Sequence, residues 1–327
     1  MMFARRALLR LSAVAAACVL AGGAVQAQQY PSQPIRMVIP FPPGGPNDLL
    51  GRPVAQRLSA MLGQPVVVEN RAGANGVIGS ALVAKAAPDG YTMLFMSGAH
   101  SANPSIQANM PFDPVKDFTP ITQIVRTYGI VLAVRHDFPA RNLAEFVKMA
   151  KAAPGKYSYG NAGIGNANHV AVELFKSVAG VDMLAVPYKG TSEMLPALLG
   201  GEIDLVGLSV VAGMPLIKDG RLRALALTGE TRVPALPDVP TFADEGYPEV
   251  KLLGYYGMWF PAKTPDDRVQ LIYRSVKQIL DTPEMEEIIA KVGARKIGST
   301  PEEFAAFVRE DVDYQTKVNE RVGLTPK

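Results

Sequence analysis

Two glycine-rich turns constrain the chain more than any other feature. The first lies in IRMVIPFPPGGPNDLLGRPVAQRL, residues 35–58, and the second in KYSYGNAGIGNANHVAVELF, residues 156–175. Each joins a short β-like run to a run with helical spacing, an arrangement that belongs to α/β folds. A helix start leaves its first N–H groups without intrahelical acceptors, and the helix dipole adds partial positive charge there. Such a turn can hold an anion without a cationic side chain. Neither turn carries Lys or Arg: residues 41–50 contain only Asp48 as a charged group, and 160–171 only His169 as a titratable one. Two such cradles, far apart in sequence, point to two lobes closing on one small anion.

The rest of the chain alternates in the same way. Residues 35–41, 66–69 and 91–96 read as strands, with Leu50, Val54, Leu58 and Met61/Leu62 on one helical stripe between the first two. A second unit opens at 130–134, continues through a helix at 143–152 and a strand at 157–159, and keeps helical spacing at Ala167, Ala171, Leu174, Phe175 and Val178. A short helix at 194–199 and a strand at 223–227 follow. The proline-rich stretch 234–248 reads as a loop leading out of this unit; 252–260 returns as a strand, and three helices close the chain. Thr264-Pro265 reads as cap and first residue of the first of these helices. The expected architecture is two α/β lobes, each a mostly parallel sheet flanked by helices. Residues 28–128 and 250–327 form the first and 129–249 the second, with the cleft where strands end and helices begin.

Residues 1–27 read as a cleavable export signal. Arg5, Arg6 and Arg10 precede an apolar run over 11–20, and Val25-Gln26-Ala27 supplies small residues for cleavage. The paired arginines leave the general and twin-arginine routes both open. Cys18, the only cysteine, falls inside this segment, and Ala15 stands where a lipoprotein signal needs a branched apolar residue. Cleavage therefore removes disulfides and thiol chemistry from consideration. It also removes three arginines and no acid, changing 33 basic against 30 acidic residues to 30 against 30. A neutral mature chain offers no basis for nucleic-acid binding.

Catalytic and cofactor motifs are not in evidence. Gly163-Ile164-Gly165 is followed by Asn168 where a dinucleotide fingerprint needs a third glycine, and there is no phosphate-loop, HExxH or G-x-S-x-G motif. His100, His136 and His169 are too scattered to read as a metal set. On local sequence the first turn is open to two readings, a rigid structural bend or an anion cradle. Asp48 reads chiefly as a brace favoured in the first helical turn. Asn166 or Asn168 reads as a helix cap, and His169 as a packed residue with one hydrogen bond.

Six segments in order carry a closer likeness: PFPPGGPND at 40–48, NRAGANGVIG at 70–79, APDGYT at 87–92, KDFTPI at 116–121, VPYKGTSEMLPALLGGEIDL at 186–205 and DGRLRALALTGETRVPALPDVPT at 219–241. Together they resemble the tripartite tricarboxylate receptors, also called the Bug family, over nearly all of the mature chain. The resemblance implies a two-lobed type II periplasmic-binding-protein fold and capture of a small carboxylate, an organic acid, aromatic acid or acidic amino acid. It implies delivery to a two-component membrane permease, by a monomer without cofactor, metal or catalytic role. A secreted enzyme acting on a carboxylic acid and a sensor subunit for a membrane kinase are the competing readings.

It also implies the ligand contacts. In the first turn these are Phe41, Pro43, Gly44, Gly45, Pro46, Asn47 and Asp48, acting chiefly through backbone N–H groups. Ser97 follows a first-lobe strand, with Gly98, Ala99 and His100 beyond it. The second turn supplies Asn161, Gly163, Gly165, Asn166, Ala167, Asn168 and His169, and the VPYKG and EIDL segments supply Tyr188 and Asp204. Lys189 reads as a supporting cation and Gly45 as a position where a Cβ would restrict the turn. Export predicts a mature N-terminus at Gln28; mass spectrometry of the periplasmic protein checks it, and a retained, acylated Cys18 would contradict it.

Overall fold

The computed structural model describes residues 30–161, 165–188 and 191–324. The expected export signal, Gly163 and Lys189-Gly190 lie outside them. The first lobe is built on a six-stranded sheet. It contains β1 (Ile35–Ile39), β2 (Val66–Asn70), β3 (Thr92–Ser97) and β4 (Phe118–Thr127), joined later by β10 (Tyr255–Pro261) and β11 (Ala294–Lys296). The second carries β5 (Ile130–Arg135), β6 (Ser158–Asn161), β7 (Leu184–Pro187), β8 (Leu205–Ser209) and β9 (Leu222–Leu227). Strand orders are β11-β4-β10-β3-β1-β2 and β7-β6-β8-β5-β9.

Both sheets are mixed, and the reversed strands that follow the two crossovers have a common cause. β5 is antiparallel to β8 and β9, and β10 is antiparallel to β3 and β4. These are the first strands after the chain crosses into each lobe. A chain entering from the cleft must run away from it, whereas β1, β3, β6 and β8 run towards it and end there.

In the first lobe, α1 (Pro46–Leu62), α2 (Val77–Ala84) and α3 (Ala99–Ala102) follow β1, β2 and β3. The second lobe has α4 (Leu143–Ala152), α5 (Ala167–Ala179), α6 (Thr191–Gly200) and α7 (Val210–Lys218), and the tail has α8 (Asp266–Leu280), α9 (Pro283–Lys291) and α10 (Pro301–Arg321). The stripe Leu50, Val54 and Leu58 is fully buried in one core with Ile35, Met37 and Ile39 of β1 and Val269, Ile272 and Val276 of α8. Each such side chain contributes about 1.5–3 kcal/mol through burial. Pro265 itself, not Thr264, caps α8: its ψ of 140° is extended, while the Thr264 hydroxyl donates to the Pro261 carbonyl at 2.8 Å.

Among the described residues two crossovers and α10 tie the lobes together, and Val211 of the second lobe packs against the first-lobe core. The chain crosses at 127–130 and again at 252–255, and α10 spans both lobes. Phe304 and Val308 of α10 belong to the first-lobe core with Trp259, whereas Val318 enters the second-lobe core, with Tyr314, Val322 and Leu324 packed against it. Two threonines clasp the crossovers. The Thr127 amide donates to Gly254 O at 2.8 Å and the Gly254 amide donates back to Thr127 Oγ1 at 3.0 Å. The Thr228 hydroxyl donates to Leu252 O at 2.7 Å and accepts from the Ile130 amide at 2.9 Å.

Between the threonines, Gly129 adopts a φ of 88°, and a Cβ there would lie 2.5 Å from Thr228 Oγ1 and 2.9 Å from Leu252 O. Two conflicts coincide: a left-handed backbone and no space. Gly129→Ala is therefore expected to destabilise the protein by about 1–3 kcal/mol, read as a lower urea midpoint. An unchanged midpoint would show that the crossover is not held in this geometry.

Candidate functional site

A cavity of about 260 Å³ lies between the lobes, lined from both and from the crossovers. Phe41, Pro46, Ser97, Gly98 and Ala99 face it from the first lobe, and Gly165 to Asn168 and Ser209 to Val211 from the second. Leu252 to Tyr256 and Gly129 come from the crossovers, and Gln315 and Asn319 from α10. Among the described residues no Lys, Arg, Asp or Glu lines it.

Helix starts supply the polarity that charged side chains do not. Asn166 caps α5, its side chain accepting from the His169 amide at 2.9 Å, and Ser209 caps α7, accepting from the Ala212 amide at 3.4 Å. Each cap satisfies the third amide of its helix and leaves the first two without intrahelical acceptors. Those amides belong to Ala167 and Asn168 in α5 and to Val210 and Val211 in α7, all at the cavity. The start of α1 differs. Gly45 caps it without a side chain, Pro46 has no N–H, and the amides of Asn47 and Asp48 are left over.

Asp48 braces that turn. Its carboxylate accepts from the Gly44 amide at 3.1 Å, from Arg52 at 2.6 and 3.1 Å, and from Asn70 Nδ2 at 3.1 Å. Asn70 in turn donates to Phe41 O at 3.0 Å, tying the strand end to the helix start. Burial alone would raise the Asp48 carboxyl, but the bonds from Arg52, Gly44 and Asn70 hold it below the usual carboxylate range.

The expected contacts therefore divide. Phe41, Pro46, Ser97, Gly165, Asn166, Ala167 and Asn168 lie together at the cavity. Pro43 and Gly44 are exposed, with Gly45 half-buried, on the stretch between Phe41 and Pro46. Asn47 is buried beside Asp48, its Oδ1 without a partner among the described residues. Asn161 ends β6, where its carbonyl accepts from the Tyr188 amide at 2.8 Å, and Tyr188 packs on the second-lobe core outside the cavity. Asp204 is displaced from the site altogether. It precedes β8 and accepts from the Ser158 amide at 2.9 Å at the start of β6, the sheet edge away from the cleft. His100 is fully buried against Trp259, Phe112 and Phe118, with Nε2 2.9 Å from Pro114 O, and burial pushes its imidazole down to about 4.

His169 holds the second turn from below. Its Nδ1 accepts from the Gly165 amide at 3.2 Å, a role only the neutral ring can fill. Burial lowers its pKa, with Glu173 opposing and Lys176 adding to the effect. The residues that the sequence reading missed are Ser209 to Val211, the crossover residues and the α10 pair. A strand followed by Ser and an apolar helix start marks the first of these; Gln315 and Asn319 reach the cavity only through the long-range packing of α10.

With a two-lobed α/β frame and a cavity at the crossovers, the molecule has the architecture of a periplasmic solute-binding protein. The chain belongs to the tripartite tricarboxylate transporter receptor family, whose model matches residues 50–324. It is 33% identical to the protein BugT of Bordetella pertussis over 305 residues, 93% of each chain. Among solved structures, the periplasmic binding protein BugD is 35% identical with a TM-score of 0.78, over 91% of this chain and all of that one. R. palustris Rpa4515 with adipate is 32% identical with a TM-score of 0.80, over 91% and 100%. MatC of Rhodopseudomonas palustris with bound malate is 29% identical with a TM-score of 0.75, over 88% and 99%. These relatives are solute-binding proteins, and they imply a periplasmic location for this chain.

The first turn yields one correction with a test. Gly44, at a φ of 76°, is the residue that needs glycine; Gly45, at −78°, does not, and a Cβ on it would meet only Pro42 O at 3.5 Å. Gly44→Ala should cost about 1–2 kcal/mol and Gly45→Ala much less, by chemical denaturation; the reverse order would contradict the geometry. The His169 linkage gives a second test. A lowered pKa contributes stability that is complete above about 6.5 and lost as pH falls through the folded-state value. His169→Gln keeps an acceptor but cannot titrate, so it should flatten that part of the acid stability profile. An unaltered profile would exclude His169 as its source.

Proposed function

We propose that this protein is an extracytoplasmic receptor that captures a small carboxylate between its lobes and delivers it to a two-component membrane permease. The observation that carries this reading is the convergence of unpaired helix-start amides on one cavity without charged side chains. A carboxylate at Ala167, Asn168, Val210 and Val211 would gain hydrogen bonds and dipole attraction without the desolvation cost of a buried cation. The first turn closes over it from the other lobe, through the amides of Asn47 and Asp48. Phe41, Ile130, Val170 and Leu252 supply apolar walls for the carbon chain. The neighbours with adipate and malate support the ligand class, and the family supports the permease partnership.

The two crossovers and α10 make a hinge, so capture is a closing of lobes around the solute. The receptor acts as a monomer, with export by the N-terminal segment. An enzyme reading lacks support among the described residues, since no nucleophile–base pair faces the cavity.

A thermal-shift screen against organic acids tests the reading. A true ligand at 100 times its dissociation constant should add about 2.7 kcal/mol of stability, and X-ray scattering should show a smaller radius of gyration on saturation. No stabilisation by any mono-, di- or tricarboxylate would contradict carboxylate capture. A stabilised protein of unchanged radius would contradict the closing hinge.

A further inference from the structure

α10 carries a buried polar stripe. Asp311, Gln315 and Asn319 recur every four residues, so they share one face of the helix. All three are more than nine-tenths buried, and Gln315 and Asn319 line the cavity. Both amides have a fixed orientation. Asn319 Nδ2 donates to Ser105 Oγ at 2.6 Å, and Ser105 must accept there because its own hydroxyl donates to Ala102 O at 2.7 Å. Gln315 Nε2 donates to Asp311 Oδ1 at 3.3 Å, and a carboxylate can only accept.

The scaffold holds one N–H of each amide and so fixes which way the amide is turned, with the carbonyl oxygen on the opposite side. Asn319 Oδ1 is buried without a hydrogen-bond partner among the described residues, and so is Asp311 Oδ2 behind it. No described hydrogen bond reaches Gln315 Oε1. A buried acceptor without a donor costs stability, so a donor group brought to this wall would be favoured. Asp311 adds negative charge behind it. The nearest compensating cation, Arg126, is shared with Gln123 and lies over the Phe307 ring at 4.6 Å.

We propose that the α10 wall is a specificity subsite that selects carboxylates carrying a hydrogen-bond donor, a hydroxyl or an ammonium, and rejects a second carboxylate. The donor bonds to the oxygens of Gln315 and Asn319, while a second carboxylate would face the same oxygens with Asp311 behind them. The proposal rests on the carboxylate-receptor reading and narrows it: one stretch of the cavity wall offers helix-start N–H groups, another the carbonyl oxygens of two fixed amides. Asp311 and Ser105 are positioning residues, since each acts by orienting an amide.

Matched ligands that differ only at one end separate the possibilities. We would titrate the wild-type protein calorimetrically with butyrate, γ-hydroxybutyrate, γ-aminobutyrate and succinate, and with their five- and six-carbon counterparts. In at least one chain length, the hydroxy or amino acid should bind at least tenfold tighter than both the methyl-ended acid and the diacid. Gln315→Met and Asn319→Leu keep side-chain volume and remove the acceptor. Each should reduce that preference several-fold, read within each variant as the ratio of donor-ended to methyl-ended affinity, with circular dichroism confirming the fold. If one variant fails to fold, the other still decides. A diacid bound tightest, or a donor preference intact in a folded variant, overturns the subsite and leaves the receptor reading standing. Heat from none of the acids overturns the subsite, and the wider thermal-shift screen decides the receptor reading separately.

Discussion

An α-helix cannot satisfy its own first N–H groups, and the arrangement of this molecule follows from where those groups are placed. Strands that run towards the cleft hand the chain to helices that start beside it, so unpaired amides gather along one edge of each sheet. Side-chain caps at Asn166 and Ser209 take the third amide of α5 and α7 and leave the first two facing the cavity. A buried Lys or Arg would add charge there at a large desolvation cost. Backbone amides are paid for once, in folding. The site is therefore preorganised by the fold itself, and it is neutral when empty.

Preorganisation needs stiff turns, and the two principal turns are stiffened differently. In the first, a carboxylate does the work: Asp48 collects Gly44, Arg52 and Asn70, and Asn70 returns to Phe41. In the second, a neutral imidazole accepts from Gly165 while Asn166 accepts from His169, a reciprocal pair closing one helical turn. Tyr159 adds a further link below, donating to Glu173, which also pairs with Lys176 at 2.9 Å. Asp48 and His169, the titratable groups of the two turns, thus both bond to protein.

The joints between these parts are the crossovers and one helix. The threonine clasps hold the crossovers side by side, and Gly129 allows one strand to pass within contact of the other. α10 adds a third tie, apolar at Phe304 and Val308 against the first lobe and at Val318 against the second. Its polar stripe faces Ser101 and Ser105 where apolar packing would otherwise lock it. A helix that reports on both lobes while lining the cavity is well placed to couple what is bound to how far the lobes close.

Much of this was legible in the sequence, because periodicity and turn chemistry are local. The stripe Leu50, Val54, Leu58 and the glycine turns located α1, α5 and the strands before them. The account of Gly45 failed because sequence cannot say which of two adjacent glycines takes the positive φ. Asp204 was placed at the site by the likeness of the EIDL segment, which does not tell at which end of a strand a residue sits. β4, interrupted by Pro120, and β8, containing Gly207, lack the apolar alternation that marks a strand, and tertiary pairing decides them. Gln315 and Asn319 carry no local signal, and only the packing of α10 across both lobes buries them. The central claim is that backbone amides at helix starts hold the ligand carboxylate, and amide NMR tests it most directly. On saturation with a carboxylate identified by screening, the amide protons of Asn47, Asp48, Ala167, Asn168, Val210 and Val211 should shift downfield as they gain a charged acceptor. If these six stay in place while Lys or Arg side-chain resonances shift instead, the backbone account is wrong.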